Sequence, residues 1–146
     1  MMNSVFNTSA EAALRILLLL SYVSVPIDLD RIVAIDTIII YGHSLGYADY
    51  DLHANSIRRL NEYAARRYND KNALKRLAFT GYVSIDMGQD MISYFITEKG
   101  MHAVKLMNSE YANKYLDNAQ RVINALQDFS SRDIIHIAQE TKAVIE

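Results

Sequence analysis

SIRRLNEYAARRYNDKNALKRLAFTG, residues 56–81, runs directly into YVSIDMGQDMISYFI, residues 82–96, and together they decide how this chain folds. The opening part predicts a helix from Ser56 to about Tyr68, with Ile57, Leu60 and Ala64 inward and Tyr63 and Tyr68 as further candidates for that side. Asn69-Asp70 predicts a short turn, because both side chains compete with a helix by bonding nearby backbone. A second helix should follow from Lys71 to Phe79, with Ala73, Leu74, Leu77 and Ala78 inward, and Gly81 fits the residue just past its end. Tyr82, Val83 and Ile85 then flank Met87-Gly88-Gln89-Asp90 on one side, and Met91, Ile92, Tyr94, Phe95 and Ile96 on the other, the pattern of a β-hairpin. Helix, turn, helix and hairpin is the order of a winged helix-turn-helix.

Upstream, Thr8-Ser-Ala-Glu11 has the form of a capping box, predicting a helix from Ser9 to about Tyr22. It leaves only a narrow polar strip, so it should be the central core helix. Pro26 and Asp28 open another helix, Asp28 to Tyr41, although the β-branched end Thr37 to Tyr41 also suits a strand. Gly42 to Asn55 reads as a loop. Downstream, Thr97 should cap a helix from Glu98 to about Met107. Ser109 or Glu110 to Asp128 carries Tyr115, Ala119, Val122, Leu126 and Phe129 at four-three spacing, the seam of a packed helix. Ser130-Ser131-Arg132-Asp133 caps a last helix with Ile134, Ile137, Ala138, Thr141 and Ile145 on one face. The expected fold is mainly α with a β-hairpin wing: a winged helix-turn-helix core over 1–97, with C-terminal helices over 98–146 packed on it as a single compact unit.

Composition narrows function. The chain has 146 residues with 15 Lys and Arg against 17 Asp and Glu, and 51% apolar content argues for an ordinary folded domain. Without cysteine there is no disulfide frame, thiolate nucleophile or cysteine zinc site. The apolar run Ile16 to Leu20 is bounded by Arg15 and by Pro26, Asp28 and Asp30, too short for a membrane span of roughly 20 residues. Residues 1–14 lack the basic flank of a signal peptide, so a cytoplasmic location is expected.

The net charge of −2 conceals a division. Ile57 to Tyr82 holds Arg58, Arg59, Arg66, Arg67, Lys71, Lys75 and Arg76 against Glu62 and Asp70, a balance of +5, and the remainder balances at −7. These seven cations are the candidate contacts to DNA or to an acidic partner, since phosphate rewards clustered cations by counterion release. A solvated helix face explains them equally, with Glu62 spaced to pair with Arg58 or Arg66. The acidic tip, Asp86 to Asp90, suits DNA poorly.

Catalysis has few candidates. His43, Asp49, Asp51 and His53 are of metal-ligating type, yet they read more simply as a polar turn-forming loop, and His102 and His136 stand alone within helices. No phosphate-binding loop, dinucleotide fingerprint or nucleophile elbow occurs. The chain is expected to be no enzyme and to need no cofactor or metal.

Several pieces recur together in one order: Phe6-Asn7-Thr8 with Glu11 to Leu20, then Pro26-Ile-Asp-Leu-Asp-Arg31, Asp36, His43-Ser44 and Leu52-His53. Arg59-x-x-Glu62-x-x-x-Arg66-Arg67, Tyr94, Thr97-Glu98 and Ser109-x-Tyr111-Ala112 continue the series. Over about Phe6 to Gln139 the chain resembles the middle component of bacterial ABC three-component systems, a family related to the small subunit of Lamassu-type anti-phage defence. It departs from that pattern at Asn55-Ser56, where prolines are expected, and at Tyr68-Asn-Asp-Lys71, where a glycine-containing apolar segment is expected. The resemblance implies a non-catalytic winged-helix adaptor between an SMC-like ABC ATPase that senses DNA and an effector, often a nuclease. The alternative is a stand-alone DNA-binding regulator reading bases through Asn69, Lys71, Asn72 and Lys75. A metal-dependent nuclease built on the His43 to His53 loop is a third.

Overall fold

The computed structural model describes residues 9–53, 59–88 and 90–139. Its elements in chain order are α1 (Ser9–Leu20), β1 (Ile27–Asp28), α2 (Leu29–Ile40), α3 (Gly42–Leu45), α4 (Arg59–Phe79), β2 (Val83–Met87), β3 (Ile92–Ile96), α5 (Glu98–Lys105), α6 (Glu110–Leu126) and α7 (Ser131–Ala138). The molecule is mainly helical with a small antiparallel sheet of order β1-β3-β2. Among these residues no helix is long and apolar enough to cross a membrane.

Helices α1 and α2 form the centre because little of either is polar. Residues 15–20 of α1 and 32–40 of α2 are all buried. Continuous burial removes the alternation a half-exposed strand would need, and Thr37 satisfies its hydroxyl inside the helix by donating to the Val33 carbonyl at 2.8 Å. The β-branched end of α2 is therefore helical, not extended. Around this centre, α1 packs on α4 and α6, and α2 on α4, α6 and α7. The seam of α6 behaves as its spacing predicts through Tyr115, Ala119, Val122 and Leu126, all buried, whereas Phe129 lies beyond the helix and is exposed. Arg31 ties α2 to the α6–α7 junction by donating to the carbonyls of Leu126 and Phe129 and to the Ser131 hydroxyl.

The largest departure from the sequence expectation is α4. One helix of 21 residues replaces two helices and a turn. Asn69-Asp70 does not break it, because Asp70 turns inward and is fully buried instead of capping a new helix. The inner face consequently runs through Arg66, Asp70, Ala73, Leu74 and Leu77, while Ala64 and Tyr68, expected inside, are exposed and Tyr63 is half-buried. A helix-turn-helix formed from residues 56–79 is thereby excluded. Ile57, Thr141 and Ile145, also expected inside, lie outside the described residues, as does Thr8 of the capping box.

Caps and turns follow local chemistry. Thr97, Ser109 and Ser130 accept from the backbone N–H groups of Gly100, Ala112 and Asp133, respectively. Gly81 stands at φ +88°, the left-handed conformation that closes α4. The expected 42–55 loop contains the single-turn α3. The hairpin pairs Val83 with Ile96, Ile85 with Tyr94 and Met87 with Ile92, and β1 adds Ile27 beside Tyr94.

Gly100 holds α5 against the hairpin because a Cβ there would meet the Tyr82 carbonyl at 2.3 Å and the Ile96 side chain at 2.6 Å. Gly100→Ala should destabilise the protein by about 1–3 kcal/mol, since backbone must move. Urea denaturation reads this directly, and an unchanged midpoint would contradict the close packing.

Candidate interaction surface over a buried charge cluster

The two sides of α4 do different things. Its inner side carries two ionisable residues, Arg66 and Asp70, into the core, where they join polar groups from other segments. Arg15 of α1 donates through Nε to Asp36 of α2 at 3.2 and 3.3 Å, and its Nη2 lies 3.6 Å from Asp70 of α4. Tyr115 of α6 donates its hydroxyl to Asp36 at 2.7 Å. Arg66, only 3% exposed, donates to the Tyr41 hydroxyl at 3.3 Å and lies over the Tyr41 ring, and Tyr41 in turn donates to Glu62 at 3.4 Å.

Burial alone would raise Asp36, but Arg15 foremost, then Arg66 and the Tyr115 hydrogen bond, more than offset it and hold Asp36 below the usual carboxylate range. Burial works against the Arg15 cation too, and is outweighed by Asp36 and Asp70, so Arg15 stays charged. Asp70 is pushed well up, first by burial and then by the neighbouring Asp36 charge. The cluster therefore holds a firmly charged Arg15–Asp36 pair beside an Asp70 whose ionisation its surroundings oppose. Among the described residues Arg66 leaves Nε and Nη1, and Asp70 both carboxyl oxygens, without hydrogen bonds.

His53 borders this cluster. Its Nε2 lies 3.3 Å from the Tyr111 hydroxyl, its ring stacks on Tyr111 at 6.4 Å between centroids, and Tyr41 meets it edge-on. Burial, then the positive charge of Arg66 and Arg15, lowers its pKa to about 3 despite Asp36. Tyr111 is pushed up to about 12, mainly by burial. The two carboxylates of the histidine-carboxylate loop are engaged in holding it. Asp51 accepts from the Ser44 backbone N–H at 2.9 Å and from the Ser44 hydroxyl, Asp49 pairs with Arg121 at 3.3 Å, and His43 is exposed. Among the described residues no three histidines or acids converge to hold a metal ion.

The seven candidate cations are accordingly not one patch. Arg58 lies outside the described residues, and Arg59 is in α4 with its side chain outside them. Arg66 is inside the core, and Arg67 pairs with Asp30 at 3.0 Å on the surface. Lys71, Lys75 and Arg76 remain exposed on the outer side of α4, in no ion pair among the described residues. With them stand Tyr68 and Phe79, 67% and 93% exposed. The sequence reading missed the core cluster, although Arg15, Asp36 and Asp70 inside otherwise apolar helix faces are the signal that could have revealed it.

Arg15→Met should cost about 3–5 kcal/mol, because Asp36 is left charged and unpaired, whereas Asp70→Asn should stay within about 1 kcal/mol. Chemical denaturation of both variants checks the contrast, and equal losses would contradict the upward shift of Asp70. His53 gives a pH signature. Its folded pKa lies below the ordinary 6.5, so folding excludes a proton, and stability present above pH 6.5 is lost as the pH falls toward 3. Relative to His53→Gln, the wild type should lose about 2 kcal/mol between pH 8 and pH 5, read from urea midpoints at both.

Comparison with known proteins places this architecture in a family. No curated protein matches the chain, and no solved structure does. The family model that does match, over residues 5–145, is that of the ABC-three component (ABC-3C) system Middle Component 2. Nearly the whole chain is covered, the buried cluster and the outer face of α4 included, and the chain belongs to the Middle Component 2 family of ABC three-component systems.

Proposed function

We propose that this chain is a non-catalytic bridging subunit of its three-component system, joining an SMC-like ABC ATPase that senses DNA to an effector subunit, a nuclease. The assembly acts in the cytoplasm against phage or plasmid DNA, as in Lamassu-type defence. Membership of a middle-component family supports partner proteins. The observation that carries the reading further is the outer face of α4, where Lys71, Lys75 and Arg76 stand unpaired among the described residues beside Tyr68 and Phe79. Unpaired cations interleaved with exposed aromatics suit a phosphate backbone.

The order of elements supports a winged-helix reading different from the one the sequence suggested. Helix α1, strand β1, helix α2, helix α4 and the β2–β3 hairpin follow one another, with β3 central in the sheet. Here α2 and α4 form the helix pair, with α3 between them in the chain in place of a short turn, and α4 is the helix that precedes the wing. That helix is the one a winged helix offers to DNA. The hairpin tip with Asp86 and Asp90 repels phosphate, so α4 contacts DNA that the ATPase already holds.

Co-expression with the ATPase and effector of its system should yield a stable complex that retains DNA. Lys71→Glu, Lys75→Glu and Arg76→Glu combined should leave the complex intact, and should reduce the slope of log affinity for DNA against log salt by about 3. A chain that elutes alone rejects the bridging role. Unchanged DNA retention moves the α4 face to an acidic protein surface, and tight sequence-specific binding by the isolated chain makes it a regulator.

A further inference from the structure

The hairpin carries more apolar surface than its own chain covers. Directly paired residues of an antiparallel ladder share a face. The register therefore puts Val83, Ile96, Ile85, Tyr94, Met87 and Ile92 together, with Ile27 of β1 beside Tyr94. The inner end of that face is core, since Val83, Ile96 and Ile27 are buried. The outer end is not: Ile85 is 46%, Ile92 47% and Met87 72% exposed, and Met91 at the tip is 59% exposed. A ribbon that met only water on leaving the core would turn polar there. This one keeps its apolar face past the core and puts Ser84, Asp86 and Ser93 on the other, with half-buried Phe95 at that face's inner end. Asp86 and Asp90 are exposed around the tip, in no ion pair among the described residues.

We infer that the outer half of this face docks a segment of a partner protein. The segment offers aliphatic or aromatic side chains to Ile85, Met87, Met91 and Ile92, and lysine or arginine to Asp86 and Asp90. The two carboxylates choose among occupants. They repel nucleic acid and an anionic lipid surface, and they complement a basic protein rim. A second copy would present an equally acidic hairpin at the same face, so two hairpins meeting face to face would repel. Two unbranched methionines at the exposed end adapt to a shaped partner surface. The outer edge of β2, with no further strand on it among the described residues, leaves backbone groups open to the same segment. The inference rests on the chain having partner proteins, and not on the DNA contact of α4.

The test uses the complex formed with the other components of its system. Met87→Glu with Ile92→Glu should keep the melting temperature of the free chain within about 3 °C, because both positions are exposed. The same change should weaken the complex at least about tenfold. Asp86→Lys with Asp90→Lys should weaken it too, and most at low salt. A photo-crosslinker at Met87 should join the chain to another component, at a peptide containing apolar residues and lysine or arginine. Should the glutamates unfold the chain, Met87→Ser with Met91→Ser replaces them, with the same loss of affinity expected. A complex indifferent to these changes overturns the inference while leaving the bridging role standing, as does a crosslink only to a second copy. A wild-type chain that joins no component overturns both.

Discussion

The fold depends on one buried ion pair. Arg15 and Asp36 sit opposite each other in the two most apolar helices of the chain, and neither could stay there without the other. Each then recruits a further element: Arg15 approaches Asp70 of α4, and Asp36 takes the Tyr115 hydroxyl of α6. Four helices are thus referred to one point, and the rotation of α4 about its axis is set by that point. A purely apolar α4 could roll by a residue at small cost. With Arg66 and Asp70 facing inward, rolling would take them from the Tyr41 and Arg15 groups they meet and bring other side chains against the polar cluster. The direction in which Lys71, Lys75 and Arg76 project follows from charges on the opposite side of the same helix.

That dependence explains what could be read in the sequence. Periodic apolar segments gave α1, α2 and α6 close to their limits and the start of α7, and cap chemistry placed Thr97, Ser109 and Ser130. These are local effects, complete within a few residues. The hairpin was equally legible, because its two apolar runs flank a turn segment. What escaped was non-local. Asn69-Asp70 has the composition of a turn, and only Arg15, more than fifty positions earlier, makes Asp70 a core residue. Arg66 counted as a surface cation because its partner Tyr41 lies across the connection between α2 and α4. A polar residue chooses its environment by its partner, and the partner is not in the local pattern.

The charge division within the sequence changes meaning with the structure. The basic segment loses Arg66 to the core and Arg67 to Asp30, so its surface expression contracts to three cations on one helical face. The acid excess disperses, some into loop geometry such as Asp51 with Ser44, some into the hairpin tip. What remains is a small molecule with a basic aromatic face on α4 and an acidic aliphatic one on the hairpin that follows it. Surfaces of opposite character at adjoining elements are ill-suited to a single extended polyanion, which would gain at one and lose at the other. They suit a subunit with different neighbours on different sides, each selected by the charge it meets.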